Sequence, residues 1–361
     1  MIRELQKQGY SSYFAPRVLE ERYRDFFHNP NTTLKEKLWA QKRGFLSDKI
    51  AFYGLTEDNY RDYLSDFDYW KMHPINGQFS HWIDDKLTIK YLLQPFQAFL
   101  PQYFYHLGGG EVLKLMDCPE KFRDSVDDIL LLLRDRKELA VKLLSGSAGE
   151  GFFKLQFIDG IFYVNNKSAS EEELSDRLSA GINSRSSGVL VTEYLHPNNQ
   201  LAEIWADTAN TLRLTVIREK NQQPKIISAL IRFGTRKTGI IDNALAGGVF
   251  SKVNIQTGLF DHGKIYENGM LKDCPLHPDS NVKIGGNVPD WVFLTEKTLE
   301  ICQYIPQVVC MGIDLIVTDD GFRLIEINSH PNIEFIQYDI PAFKNDRCNE
   351  YYRSLMKRFN R

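Results

Sequence analysis

The sequence predicts an α+β protein, on three observations. The first 80 or so residues carry apolar side chains at helical spacing. From Glu138 onward the texture changes to short β-rich runs separated by turn residues. Near the C-terminus, Gly312 to Asn328 reads GIDLIVTDDGFRLIEIN, a hairpin pattern with acids set among Ile, Leu and Val.

In chain order, Arg17 to Phe27 and Thr33 to Phe45 have helical periodicity, so residues 1–81 form a mainly helical region. Its many Tyr and Phe residues read as core, and no site is placed there. Pro74, Asn76 and Gly77 break the pattern, after which Asp84 or Asp85 starts another amphipathic helix in IDDKLTIKYLLQPF. The Gly108-Gly109-Gly110 run ends that unit, within a segment spanning 82–136. ELAVKLL, FFKLQF and IFYVNN read as strands, the last two joined by an Asp159-Gly160 turn. A polar helix over Ser170 to Ala180 then leads to the strand GVLVTEYL, completing a subdomain over 137–195. LRLTVIRE and KIISALIRF flank a polar turn and open a larger antiparallel sheet within 196–361. His262 to Asp290, dense in Gly, Pro, Asn and Asp, is expected to be a long functional or mobile loop, followed by a helix over Trp291 to Tyr304.

Composition narrows the function classes. With 43% hydrophobic and 25% charged residues, 361 residues suffice for two or three subdomains with sizeable cores. A net charge of -3 argues against a general nucleic-acid or acidic-membrane binder and confines cationic sites to local clefts. The apolar run Ile129 to Leu133 is far shorter than the roughly 18 residues a spanning helix needs. The start MIRELQKQGYSSYF lacks a secretory pattern, so the expected location is cytoplasmic. Cys118, Cys274, Cys302, Cys310 and Cys348 show no zinc-ligand spacing and are expected to be free thiols.

The acidic hairpin poses a charge problem. A three-residue Asp319-Asp320-Gly321 loop, with Gly321 left-handed, sets Thr318 against Phe322 and therefore Asp314 against Glu326. Asn328 follows two residues later on the same face. Opposed carboxylates repel, and burying one unpaired is costly, so the face requires a compensating cation or proton. Mg²⁺ suits such a set, because it prefers oxygen ligands and commonly takes one or two carboxylates together with substrate phosphates. A salt bridge to a nearby Arg or Lys, or a register shifted by one residue, are the alternatives at this point.

Upstream, AVKLLSGSAGEGFFKL places Lys142 on a strand before a loop containing Gly146, Gly149 and Gly151. Glycines let backbone N–H groups approach phosphate oxygens, and the lysine offers a point charge. The spacing is neither that of a Walker A loop nor that of a dinucleotide fingerprint. A plain glycine-rich turn is the competing reading.

Taken in order, DDKLTIKYLL, AVKLLSGSAGEGF, VLVTEYL, NTLRL, IRFGTRKTGIIDNALAGG and GIDLIVTDDGFRLIEIN resemble the ATP-grasp superfamily. Asn210 to Gly248 is most similar to the sugar-transfer-associated ATP-grasp group, and is also similar to glutamate-adding ligases. The resemblance covers residues 82 to 340 or so, and implies two α+β subdomains sandwiching ATP behind the helical N-terminal region. It implies that Lys86 and Lys142 contact ATP phosphates while the loop of Ser145, Gly146, Ser147, Gly149 and Gly151 closes over them. Thr192, Glu193, Tyr194 and Leu195 would bind adenine, largely through backbone, and Glu203 the ribose hydroxyls. Asp314, Glu326 and Asn328 would hold one or two Mg²⁺ ions, for which Mn²⁺ can substitute. Arg232 with Asn243 would steady the transferring phosphoryl group, with Lys142 assisting. D-alanine ligases carry an arginine two residues before the metal-binding aspartate, where this chain has Gly312; Arg232 is the first candidate to replace it and Arg213 the second.

The activity so implied is an ATP-dependent carboxylate-amine ligase working through an acyl phosphate. Its substrates would be small or sugar-linked acids and amines, in cell-surface polysaccharide or amino-acid-decorated sugar biosynthesis. A phosphotransferase on the same fold and a non-catalytic nucleotide-binding module are the alternatives. No protein nucleophile is required, so the cysteines are discounted, and His330 is read as a hydrogen-bonding neighbour of the metal strand.

Overall fold

The computed structural model describes every residue except 147–148, 184–187, 221, 268 and 360–361. Seven helices come first: α1 (Ile2–Lys7), α2 (Ala15–His28), α3 (Leu34–Lys42), α4 (Asp48–Tyr53), α5 (Asp66–Lys71), α6 (Ser80–Asp84) and α7 (Lys86–Leu92). Their boundaries follow local chemistry. Thr33 and Glu36 form a reciprocal capping box at α3, and the Asp85 side chain accepts from Thr88 N to start α7.

β1 (Tyr103–Gly108) and β2 (Glu111–Lys114) follow, then α8 (Val126–Arg136), β3 (Glu138–Leu143), β4 (Phe153–Ile158), β5 (Ile161–Val164), β6 (Lys167–Ala169), α9 (Glu171–Ile182) and β7 (Val189–Glu193). These strands form one antiparallel sheet in the order β2-β1-β7-β3-β4-β5-β6. Leu residues of α8 and α9 pack on its Leu139, Val141, Leu155 and Val191. The Gly108-Gly109-Gly110 run does not end a helical unit, as expected from sequence; it turns β1 into β2.

The second half comprises α10 (Asn199–Ala202), β8 (Leu212–Ile217), β9 (Lys225–Phe233), β10 (Val249–Lys252), β11 (Leu259–Phe260), β12 (Gly263–Glu267), β13 (Met270–Asp273), β14 (Gly286–Asn287), α11 (Trp291–Tyr304), β15 (Cys310–Thr318), β16 (Gly321–Asn328), α12 (Glu334–Gln337) and α13 (Asn349–Phe359). A second antiparallel sheet runs β13-β12-β10-β9-β8-β15-β16. The expected long loop over His262 to Asp290 is thus corrected. Its turn residues punctuate short strands, β12 and β13 extend the sheet edge, and buried His277 ties the segment down by bonding Gly234 O at 2.7 Å.

Strand periodicity decides which side chains face where. Leu212, Leu214 and Val216 of β8 and Ile313, Leu315 and Val317 of β15 join a core with Trp291, Leu294 and Ile301 of α11. Their alternating neighbours, Arg213 and Asp314 among them, face the other way. On that second side, Ile217 and Cys310 pack with Tyr69 and Met72 from the N-terminal region and Tyr351, Tyr352 and Leu355 of α13. The helical N-terminal region therefore shares a core with the second sheet. Not all its aromatics are core, as sequence suggested: Tyr13, Tyr23 and Phe27 are 74%, 56% and 65% exposed. All five cysteines are free. Among the described residues no helix is long and apolar enough to cross a membrane.

Candidate active site

One cleft of about 400 Å³ lies between the two sheets and gathers most residues singled out by sequence. The first sheet contributes Lys142, Gly146, Gly149 and Thr192 through Leu195; the second contributes Arg213, Arg232, Asn243, Asp314, Glu326 and Asn328; Lys86 comes from the start of α7. Glu203 is exposed and does not line this cleft. Ser145 is exposed beside Gly146, Gly151 packs against Leu143, and Ser147 lies outside the described residues.

The acids sit opposite each other, though not by the expected route. Thr318 pairs with Gly321 across a two-residue turn, which alone would set Asp314 against Ile325. A bulge at Ile325 supplies the missing residue, so that Asp314 pairs with Glu326 and Gly312 with Asn328. The bulge matters for facing. Phe322, Leu324 and Ile327 join the core, whereas Ile325, Glu326 and Asn328 line the cleft. Without it Glu326 would point into apolar packing.

Asp314 is committed to two arginines. Arg213, its cross-strand neighbour, bonds both carboxylate oxygens, with Nη2 2.8 Å from Oδ2, and Arg232 Nη2 lies 3.3 Å from the same Oδ2. Burial pushes the Asp314 carboxyl up, but Arg213 and Arg232 outweigh it and hold it below the usual range. Arg213, the second candidate from sequence, is therefore nearer to Asp314 than Arg232, which also lies 3.6 Å from Asp242. Gly312 explains the access: a Cβ there would stand 3.3 Å from Arg213 Nη1 and 2.8 Å from Pro331 Cβ.

Glu326 is less well compensated. Its nearest base is Lys86, 3.8 Å away, and burial raises its carboxyl above the ordinary value despite that lysine. With its amide nitrogen turned toward Glu326, Asn328 lies 3.1 Å from Oε1 and its oxygen faces Arg213 Nη2 at 3.3 Å. Among the described residues, no group of three or more His, Cys, Asp or Glu gathers into a cation-binding cluster. The donor set is nonetheless all oxygen, which suits a hard divalent ion sharing its ligands with phosphate. Glu326 is the member of the set that no guanidinium bonds.

Opposite the acids stand two lysines, of which Lys86 pairs with Glu326. Lys142 is half-buried, with its Nζ over the Tyr103 ring at 5.0 Å; desolvation, then the charge of Lys86, pushes its ammonium down to about 7. Lys86 Nζ donates to Gly146 O at 3.3 Å, linking the glycine loop to the acidic strand. Gly149 (φ 78°) stands against Ile241 of the other wall, where an added Cβ would come within 3.0 Å. At the far end of β7, Glu193 and Gln102 exchange bonds of 2.9 and 3.0 Å, which fixes the Thr192 to Leu195 edge.

Sequence reading missed two contributors. Asp242, beside Asn243, bonds Thr211 N at 2.5 Å and flanks Arg232; the IIDN stretch could have signalled it. Arg17 of α2 also lines the cleft, which overturns the expectation that the N-terminal region holds no site residue. Nothing in the helical periodicity around Arg17 announced that. His330 lines the cleft too, stacked on Tyr69 at 4.2 Å, and burial with nearby His73 and Arg17 pushes its imidazole down to about 3.

The sequence profile of the family described as sugar-transfer associated ATP-grasp matches residues 72–344. No curated protein matches the chain. Among solved structures, D-alanyl-alanine synthetase A from Vibrio cholerae is similar at 15% identity and a TM-score of 0.41, over 77% of this chain and 66% of that one. D-alanine–D-alanine ligase from Bacillus anthracis aligns at 12% identity and a TM-score of 0.38, over 77% and 67%. Biotin carboxylase from Campylobacter jejuni aligns at 11% and 0.42, over 76% and 46%. The chain thus spans 66% and 67% of the first two proteins' lengths and under half of the third's.

Proposed function

Because the chain belongs to the sugar-transfer associated ATP-grasp family, we propose that it is an ATP-dependent ligase joining a carboxylate to an amine. The observation that carries this reading is the cleft's charge layout: buried Lys86, bonded to Gly146 O, and half-buried Lys142 line one cavity with the Asp314–Glu326 pair. Such a layout suits a polyanion bound between ammonium groups and metal-supporting carboxylates.

In the proposed reaction the substrate carboxylate attacks the γ-phosphorus of ATP and ADP leaves, giving an acyl phosphate. The amine then attacks the acyl carbon, loses a proton, and phosphate departs with the C–O bond electrons. Lys86 and Lys142 neutralise phosphate oxygens, and the glycine loop supplies backbone donors and keeps water out. Arg232 and Arg213 hold Asp314 in place and offer guanidinium donors to charge building up on the transferred group. Asp242 and Asn243 border that position. Glu326 and Asn328, with Asp314, would hold Mg²⁺, which supplies Lewis-acid neutralisation of phosphate charge when bound.

The Thr192 to Leu195 edge is the adenine-binding side in this reading, through backbone groups. A role in decorating cell-surface glycans is part of the proposal and rests on the family's description. The test is a screen of acids paired with amino acids and amino sugars for Mg²⁺-dependent ADP release, with mass analysis of products. An amide together with free phosphate supports the ligase. A phosphorylated acceptor without amide would make the protein a kinase, and ATP binding without turnover would make it a binding module.

A further inference from the structure

We propose that Arg17, from the helical region preceding the family-matched segment, forms an anion subsite that selects an acid substrate carrying a second anionic group. This rests on the ligase reading above. The family profile begins at residue 72, so an Arg17 subsite would belong to this chain's own specificity.

The charge inventory of the cleft leads there. Arg213 and Arg232 are committed to Asp314, Lys86 to Glu326 and the glycine loop, and Lys142 lies beneath that loop. Arg17 is exposed at the rim of the same cleft, and among the described residues its guanidinium makes no hydrogen bond and no ion pair, so it is free to meet a ligand. It rests 5.8 Å from the centroid of Phe14, an aromatic ring that offers little compensation in water. Its position also opposes the helix itself. Arg17 sits in the first turn of α2, which has no acid there and no capping side chain, so its charge adds to the positive end of the helix dipole. A base thus stands where helix electrostatics favour an acid, and it lies on the cleft lining.

His330, near enough to feel the Arg17 charge, and Asn332 and Phe335 on the same cleft lining are largely neutral and suited to a carbon skeleton. The acid is held through both half-reactions, so it gains most from an anchor remote from its reacting carbon. A guanidinium fork facing a carboxylate or phosphonate is that anchor. One carboxylate of the substrate would meet the γ-phosphate, and the second anion would meet Arg17.

The test uses full-length protein loaded with a non-hydrolysable ATP analogue and Mg²⁺, titrated calorimetrically with glutarate, 3-phosphonopropionate and the monoamide glutaramate. Wild type is expected to bind glutarate or the phosphonate in preference to glutaramate. Arg17→Ala should weaken the dianions about ten-fold or more, and Arg17→Lys by less, since a point charge replaces the fork. Affinity for the ATP analogue should stay within about two-fold in both variants, which excludes general damage. Equal dianion affinity in wild type and Arg17→Ala overturns the proposal, as does equal binding of glutaramate, or no binding of any probe. The two readings fail separately. Loss of glutarate binding in Arg17→Ala with no ADP release from any acid and amine pair leaves the subsite and removes the ligase; equal ligation of glutarate by wild type and variant does the reverse.

Discussion

Two clusters of buried charge flank the stretch from Asn328 to Gln337, and they are unbalanced in opposite directions. In the cleft near the acidic hairpin, the bases Lys86, Lys142, Arg213 and Arg232 outnumber the acids Asp242, Asp314 and Glu326. At the junction with the N-terminal helices, one base meets three acids: Lys49 lies 2.7 Å from Asp48 and 3.2 Å from Glu334, with Asp66 buried alongside. Tyr53 and Gln337 close that second cluster, Gln337 bonding Tyr53 Oη at 3.1 Å and Leu64 O at 2.9 Å. None of its charged members lines the cleft. The surplus base in the cleft pushes Lys142 down to about 7, after burial, whereas burial and surplus acid push Asp66 up to about 7. A closed cluster can relieve its imbalance only with a proton; an open one can take a ligand. That difference separates a latch from a site.

The comparison breaks most readily at Lys49. Lys49→Met leaves three acids around an apolar side chain, and removing one partner from a buried ion network costs about 3–5 kcal/mol. Denaturant unfolding should show that loss; a change under about 1 kcal/mol would mean the acids are already neutral. Glu326→Gln probes the other cluster with the opposite signature. Turnover should fall about 10²–10³-fold, the scale of losing one electrostatic group at a reacting centre. Melting temperature should hold or rise, because the carboxylate removed is one that burial already disfavours. Unchanged ADP release would remove Glu326 from the site.

Lys142→Met comes next, with ATP affinity about ten-fold weaker. A sharper readout is protonation. Free Lys142, at about 7, is mostly neutral near pH 8, and bound phosphate favours its charged form. Wild type should therefore take up part of a proton on binding ATP, seen as a dependence of calorimetric enthalpy on buffer. The Met variant should lose that dependence, and a wild type without it would place the phosphates elsewhere.

The open cluster was far more legible in the sequence than the closed one. Asp314, Glu326 and Asn328 announce themselves because acids interrupt apolar strands, and period-2 counting puts them on one face. The count succeeded even though the extra residue lies at the Ile325 bulge, since moving it from turn to strand preserves the pairing beyond it. The adjacent apolar pair Leu324-Ile325 was the available sign of a bulge. Which arginine meets Asp314 was not readable, because that depends on strand order: β8, carrying Arg213, neighbours β15, and β9, carrying Arg232, lies one strand further away. Lys49 and Asp66 lie more than 260 residues before Glu334, and all three sit in short helices, where charge normally means solvent. Arg17 escaped for the same reason.

The smallest effect is also the most specific test of the latch. Asp66 titrates near 7 in the fold against an ordinary 3.8, the causes being burial first, opposed by Lys49 and reinforced by Glu334 and Asp48. Its contribution to stability is therefore fully present below the ordinary value and is lost as pH rises through the folded one, because the unfolded chain gives up the proton first. Wild-type melting temperature should fall between about pH 5 and about pH 8 partly on this account. Asp66→Asn keeps an acceptor for Leu46 N, now 2.9 Å away, and carries no charge to bury. The variant should flatten that slope and melt about 1–3 °C above wild type near the alkaline end. Parallel profiles would show that Asp66 is ionised throughout, and the surplus of acid over base at the junction would then have to be met by Asp48 or Glu334 instead.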